Sequence, residues 1–142
     1  MSILNNIRNF FSRLFKKKVE RKSAWGILLY TQEAQLYTIR KLYEKNGFLI
    51  KGGGACPEQY DVYMPHPSSQ LVAYCQQVAY YRLRHGEFTV EVPDCGGEVI
   101  YRANTIGDGI FDRSERFHHL AKAMQALLLK LKDKESVYSE QR

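Results

Sequence analysis

The sequence predicts an α+β fold: a two-layer domain in which an antiparallel sheet of about 4–5 strands is covered by a C-terminal helix, with an N-terminal amphipathic helical arm. Three observations carry this prediction. Near the C-terminus, Phe117, Leu120, Ala121, Met124, Leu127, Leu128 and Leu131 recur at helical spacing on one side. Between residues 48 and 102, Tyr- and Val-rich segments alternate apolar with polar and are broken by Gly and Pro. At the start, "ILNNIRNFFSRLFKKK" (residues 3–18) is sharply two-faced and basic.

The arm explains the charge of the chain. The protein has 142 residues and a net charge of +6. Residues 1–22 contain seven Lys/Arg and one acid, Glu20, whereas the remaining 120 residues balance fourteen basic against fourteen acidic side chains. The whole surplus therefore sits in the arm and the body is neutral. On a helical wheel of about 100° per residue, Ile3, Leu4, Ile7, Phe10, Phe11, Leu14 and Phe15 share an arc of about 140°. Arg8 and Lys17 flank that arc, and Asn5, Asn6, Asn9, Ser12, Arg13 and Lys16 fill the opposite side. Lys18 ends the stripe, Ser2 can cap the helix, and the cations near its C-terminal end complement the dipole.

Such a helix suits a membrane interface, its apolar face in the acyl boundary and its Lys/Arg on anionic headgroups. The same stripe also fits a partner's groove or the protein's own body. A cleaved targeting segment fits less well, because Lys and Asn are abundant where Arg and Ser are expected. The KKKVERKS run that follows reads as a solvated hinge.

The domain organisation expected is an arm over 1–22, a single α+β domain over 23–134 and a polar tail over 135–142. The length suits one core plus an arm. With 44% hydrophobic and 25% charged residues, ten Tyr and seven Phe, wholesale disorder is excluded. No apolar run approaches the roughly 20 residues of a membrane-spanning helix. Arg8 and Arg13 interrupt any secretory h-region. Cys56, Cys75 and Cys95 are odd in number, with no CxxC, which argues against a disulfide framework or zinc knuckle and for a reducing cytosol.

In the body, the apolar run 24–30 reads as the first turns of a helix starting near Trp25 or Ile27. Leu36, Ile39, Leu42 and Tyr43 continue it and Asn46-Gly47 closes it. Phe48–Lys51 is a short strand, followed by the Gly52-Gly53-Gly54-Ala55-Cys56-Pro57 loop. Gln59–Met64 alternates as a strand, and Pro65-His66-Pro67-Ser68-Ser69 is a loop. Residues 70–78 suit helix or strand. Residues 77–84 and 87–92 read as paired strands turning at His85-Gly86. Asp94-Cys95-Gly96-Gly97 is a further turn, Glu98–Arg102 a strand, and 113–132 the final helix, with Asp112 and Glu115 at capping-box spacing.

Candidate chemistry is sparse. Laid on the twelve-residue calcium loop, NTIGDGIFDRSE (104–115) places Asp108, Asp112 and Glu115 at ligand positions. Positions 1 and 3 hold Asn104 and Ile106, so a charge and a ligand are missing; a turn followed by a helix cap explains the same residues. The triple glycine lacks the Lys-Ser/Thr of a phosphate-cradling P-loop. Cys95 with a distant histidine could form a nucleophile and base, but no flanking signature supports it. His118 and His119 are adjacent, not an i, i+4 metal pair. Tyr80, Arg82, Arg84 and Phe88 interleave aromatic and basic residues on the hairpin, as a base-stacking sheet face does, although half-buried strands have the same mix.

The expected function is a small interaction or adaptor protein, cytoplasmic and peripheral at an anionic membrane, with an unidentified protein partner and no cofactor. The lipid-facing residues are the seven apolar ones above, with Arg8, Arg13, Lys16, Lys17 and Lys18 on the headgroups. The alternative is an RNA- or single-stranded-DNA-binding module using the arm and the Tyr/Arg hairpin. Third comes a small enzyme with a Cys/His site; no catalytic residue is singled out.

Overall fold

The computed structural model describes residues 31–65 and 75–140. The arm, the 24–30 run, residues 66–69 of the loop and residues 70–74 of the ambiguous 70–78 segment lie outside the described residues, whereas 75–78 belong to a strand. The order is α1 (Gln32–Lys45), β1 (Leu49–Gly52), β2 (Gln59–Pro65), β3 (Cys75–Arg84), β4 (Glu87–Val92), β5 (Glu98–Asn104) and α2 (Arg116–Glu140). The strands form one sheet in sequence order, each antiparallel to its neighbour. The α+β fold with a five-stranded antiparallel sheet and a C-terminal helix is therefore as expected.

The start of α1 is a correction. Thr31 is extended (φ −76°, ψ 144°) and its hydroxyl accepts the Ala34 N–H at 3.1 Å, so the helix begins at Gln32 rather than near Trp25 or Ile27. A side-chain cap of this kind satisfies an otherwise orphan amide of the first turn. The other end is a Schellman motif. Gly47 (φ 84°) donates to Glu44 O at 3.0 Å and Phe48 to Tyr43 O at 2.9 Å. The accompanying apolar contact is Phe48 against Tyr43, with ring centroids 6.2 Å apart.

The β3–β4 connection is a two-residue turn with both φ positive, His85 at 52° and Gly86 at 72°. That is the type I′ geometry whose twist matches the flanking strands. It pairs Arg84 with Glu87 and Leu83 with Phe88. Successive residues then point to opposite faces. Tyr60, Val62, Ala79, Tyr81, Leu83, Phe88, Val90 and Val92 are buried under the two helices. α1 lies against β1, α2 against β5, and the helices touch each other, so both helices cover the sheet rather than α2 alone.

α2 contributes Leu120, Ala123, Met124 and Leu127 to the core. Burying each large apolar side chain contributes roughly 1.5–3 kcal/mol relative to leaving it in water. Two helix boundaries differ from expectation. Residues 113–115 form a turn, and the helix runs past 132 to Glu140, through most of the segment expected as a tail. Lys132, Lys134 and Glu135 are adequate helix formers even without a face to bury.

Candidate functional site

Two polar clusters lie beneath the exposed surface, and both hold loops in place. The first joins four elements. Arg116 at the start of α2 and Glu58 just before β2 are 2% and 0% exposed and pair at 2.8 Å. Arg116 donates Nε to Glu58 Oε2 at 3.0 Å, Nη2 to Glu58 Oε1 at 2.8 Å and Phe111 O at 3.2 Å, and Nη1 to Gln35 Oε1 at 2.5 Å. Gln35 on α1 donates in turn to Arg113 O at 2.9 Å. Glu58 also accepts the Tyr60 hydroxyl and the Phe111 N–H at 3.2 Å. Burial pushes the Tyr60 phenol well above its ordinary range, and the adjacent Glu58 carboxylate pushes it further. For Arg116, burial works against the charge, but the bonds to Glu58 outweigh it and the net shift is upward. Each of the three guanidinium nitrogens has an acceptor, as an ion pair out of water requires.

The second cluster staples the loop between β5 and α2. Glu115 accepts the backbone N–H of Ile106 at 2.8 Å, of Gly107 at 2.9 Å and of Asp112 at 3.0 Å. Asp112 in turn accepts the Ser114 N–H at 3.1 Å, which completes the expected cap of α2. His119, buried and stacked on Phe111 with centroids 5.4 Å apart, places Nε2 3.3 Å from Glu115 Oε1. Its Nδ1 lies 3.4 Å from the Tyr101 hydroxyl, so a proton on Nε2 satisfies both contacts. Burial raises the Glu115 carboxyl, but the three amides and His119 outweigh it and the net shift is downward. His119 is shifted down chiefly by burial, with Glu115 opposing and His118 reinforcing.

The loop is also tied to the strands. Gly86 donates to Asp108 O at 2.9 Å, Thr105 to Gly86 O at 2.8 Å, and Glu58 to Gly109 O at 2.7 Å. The tip of the β3–β4 hairpin is thus bonded to a loop that Glu115 and Glu58 hold from inside.

The calcium positions take other roles here. Both oxygens of Glu115 face N–H donors, Asp112 caps the helix, and Asp108 is exposed. Among the described residues, no group of three or more His, Cys, Asp or Glu is placed to hold a metal ion. Cys56 and Cys95 are exposed and Cys75 is half-buried. His118 is exposed beside His119.

Of the four hairpin residues proposed to stack and bind nucleic acid, the fold brings three together. Tyr80, Arg82 and Arg84 alternate onto the sheet face away from the helices, whereas Phe88 is fully buried in the core. Phe88 packs on Tyr81 and Phe111 with centroids 5.8 and 5.0 Å away, so it cannot present a ring to a base.

The outer face is a grid set by the register. One row runs Gln59, Arg82, Thr89, Arg102, and the next Arg84, Glu87, Asn104. Arg82, Arg84, His85, Glu87 and Thr89 line a shallow concavity of about 410 Å³. Glu87, the only acid in its wall, is bound to Arg102 at 2.6 Å. Arg84 Nε donates to His85 Nε2 at 3.2 Å. Among the described residues no carboxylate pairs with Arg82 or Arg84.

Thr89 and Arg102 were missed as neighbours of the hairpin arginines, although alternation away from a two-residue turn places Thr89 opposite Arg82. Glu58 and Gln35 had no local signal. Arg116 had one, because it occupies the position one turn before Leu120 on the buried stripe. Comparison of the chain with family models, with curated proteins and with solved structures finds no match.

Proposed function

We propose that the protein is a non-catalytic interaction module carried to an anionic membrane surface by its N-terminal amphipathic segment. The observation that carries this reading is the separation of charge: a net +6 confined to residues 1–22, ahead of a neutral body. The uninterrupted apolar arc from Ile3 to Phe15 supplies the complementary apolar contact. Each basic residue near an anionic surface contributes about 1 kcal/mol, so the Lys/Arg cluster rivals the apolar face in affinity. Among the described residues no helix is long and apolar enough to cross a membrane, which is compatible with peripheral attachment. The body supports a binding role over catalysis, because Glu58, Arg116, Glu115 and His119 are engaged by internal partners.

Vesicle flotation tests this reading. The full chain floats with phosphatidylserine vesicles and not with neutral ones, and Phe11→Ser with Leu14→Ser abolishes flotation. Failure of the unaltered chain to float on anionic vesicles at low salt removes the proposal.

A further inference from the structure

We propose a second anion site on the body, separate from the arm: the concavity between Arg82 and Arg84 binds a phosphate monoester group. The two arginines occupy alternate positions of β3 and so point the same way, about 7 Å apart along the strand. Arg102 completes a cationic border across Thr89, which lies on β4 between Arg82 and Arg102 and carries a hydroxyl able to donate or accept. Glu87 is the only acid lining the hollow, and Arg102 already holds it at 2.6 Å. The site is therefore net positive without a carboxylate free to occupy it. Guanidinium groups suit this ligand because their forked N–H donors match phosphate oxygens in pairs.

Preorganisation supports the assignment. His85 Nε2 accepts from Arg84 Nε at 3.2 Å, and Gly86 is bonded on both its N–H and C=O to the stapled loop, which holds the backbone of the turn. A site held this way loses less entropy on binding.

The surroundings favour a compact phosphate over a nucleic-acid strand. The neighbouring row along the sheet is Asp61, Tyr80, Glu91, so a polyanion running across the face meets two carboxylates. The outward ring of Tyr80 is tethered to Gln59 through its hydroxyl at 2.9 Å, and Phe88 is turned inward. A single dianionic phosphate, on a free metabolite or on a lipid headgroup, fits the hollow without entering the acidic row.

The test uses the full chain. Amide chemical shifts are followed during titration with inorganic phosphate and with soluble inositol trisphosphate. Flotation on neutral vesicles doped with a phosphoinositide forms a parallel arm. Shifts centred on Arg82, Arg84, His85 and Thr89 are expected, and Arg82→Gln with Arg84→Gln weakens binding about tenfold or more. Lys41→Gln, which alters a cation on α1, leaves it unchanged.

Glu87→Gln tightens binding, a gain that misfolding cannot produce. Vesicle binding is read in the Phe11→Ser, Leu14→Ser background, which silences the arm: flotation there that is lost on Arg82→Gln with Arg84→Gln identifies a lipid headgroup, and binding in solution without flotation identifies a free phosphate ligand. The proposal is overturned if the shifts lie elsewhere, if Lys41→Gln weakens binding as much as the double variant, or if oligouridylate outcompetes inositol trisphosphate at the arginines.

Discussion

The buried pair Glu58–Arg116 makes the sharpest prediction, through the single change Glu58→Gln. The side chain keeps its shape, but one carboxylate oxygen becomes an NH₂ group. If the amide replaces Oε1, it faces Arg116 Nη2 and the Phe111 N–H, at 2.8 and 3.2 Å from that oxygen. If it replaces Oε2, it faces Arg116 Nε at 3.0 Å and the Tyr60 hydroxyl. The hydroxyl can turn to accept, but the guanidinium cannot. Either way a cation that is 2% exposed loses its countercharge and at least one acceptor. Breaking a buried pair from one side costs about 3–5 kcal/mol, against a typical domain stability of about 5–15 kcal/mol. With a urea slope of about 1.5 kcal/mol per molar, the unfolding midpoint falls by roughly 2–3 M at unchanged slope. Replacing both residues, Glu58→Met with Arg116→Met, removes the buried charges together and recovers most of the loss. The reasoning fails if Glu58→Gln moves the midpoint by less than about 0.5 M, or if the double variant is as unstable as the single costs added together.

Three further outcomes follow from the same contacts. Glu115→Gln halves the acceptors for three loop amides, so hydrogen exchange at Ile106, Gly107 and Asp112 accelerates while core amides of β3 keep their protection. His119 has a folded pKa below its unfolded value, so the unfolded chain binds more protons below about pH 6.5 and stability falls as the pH drops through that region. Urea midpoints at pH 7.5 and 5.5 therefore differ, and His119→Phe shrinks the difference; an undiminished difference assigns the effect to another group. Tyr43→Phe removes the donor to Leu120 O at 2.6 Å and the partner of the Tyr81 hydroxyl at 2.8 Å, costing about 1–3 kcal/mol by chemical denaturation.

The parts of the fold that were legible in the sequence are those with local causes. His85-Gly86 reads as a hairpin tip because a two-residue turn needs positive φ at both positions, and Asn46-Gly47 as a helix end because Gly suits the left-handed residue. Asp112 and Glu115 read as a cap from spacing alone, and their bonds bear this out. The α1 boundary was misplaced because an apolar run outweighed a capping Thr31 followed by helix-forming residues. Phe88 was grouped with the wrong face by composition, although the turn pairs Arg84 with Glu87 and so sets Phe88 opposite Leu83. The Glu58–Arg116 pair was out of reach for a different reason. Its members are 58 residues apart, and only strand register and helix packing bring them together.

Why the chain keeps an ion pair in its core at all bears on the binding surface. Well-packed apolar residues at both positions would leave the domain equally or more stable, so stability does not explain the pair. Its bonds run to backbone as well as side chain: Arg116 donates to Phe111 O, Glu58 accepts the Phe111 N–H, and Gln35, which Arg116 holds, donates to Arg113 O. These groups lie in the segment that holds Gly86 and hence the hairpin tip carrying Arg84 and His85. A Met pair would fill the volume but bond neither the N–H nor the C=O of Phe111. The ion pair therefore acts on the position of the loop more than on the depth of the core. Phosphate binding by the Glu58→Met, Arg116→Met variant separates these roles: it weakens while stability is largely retained if the pair positions the surface, and it is unchanged if the pair is only part of the packing.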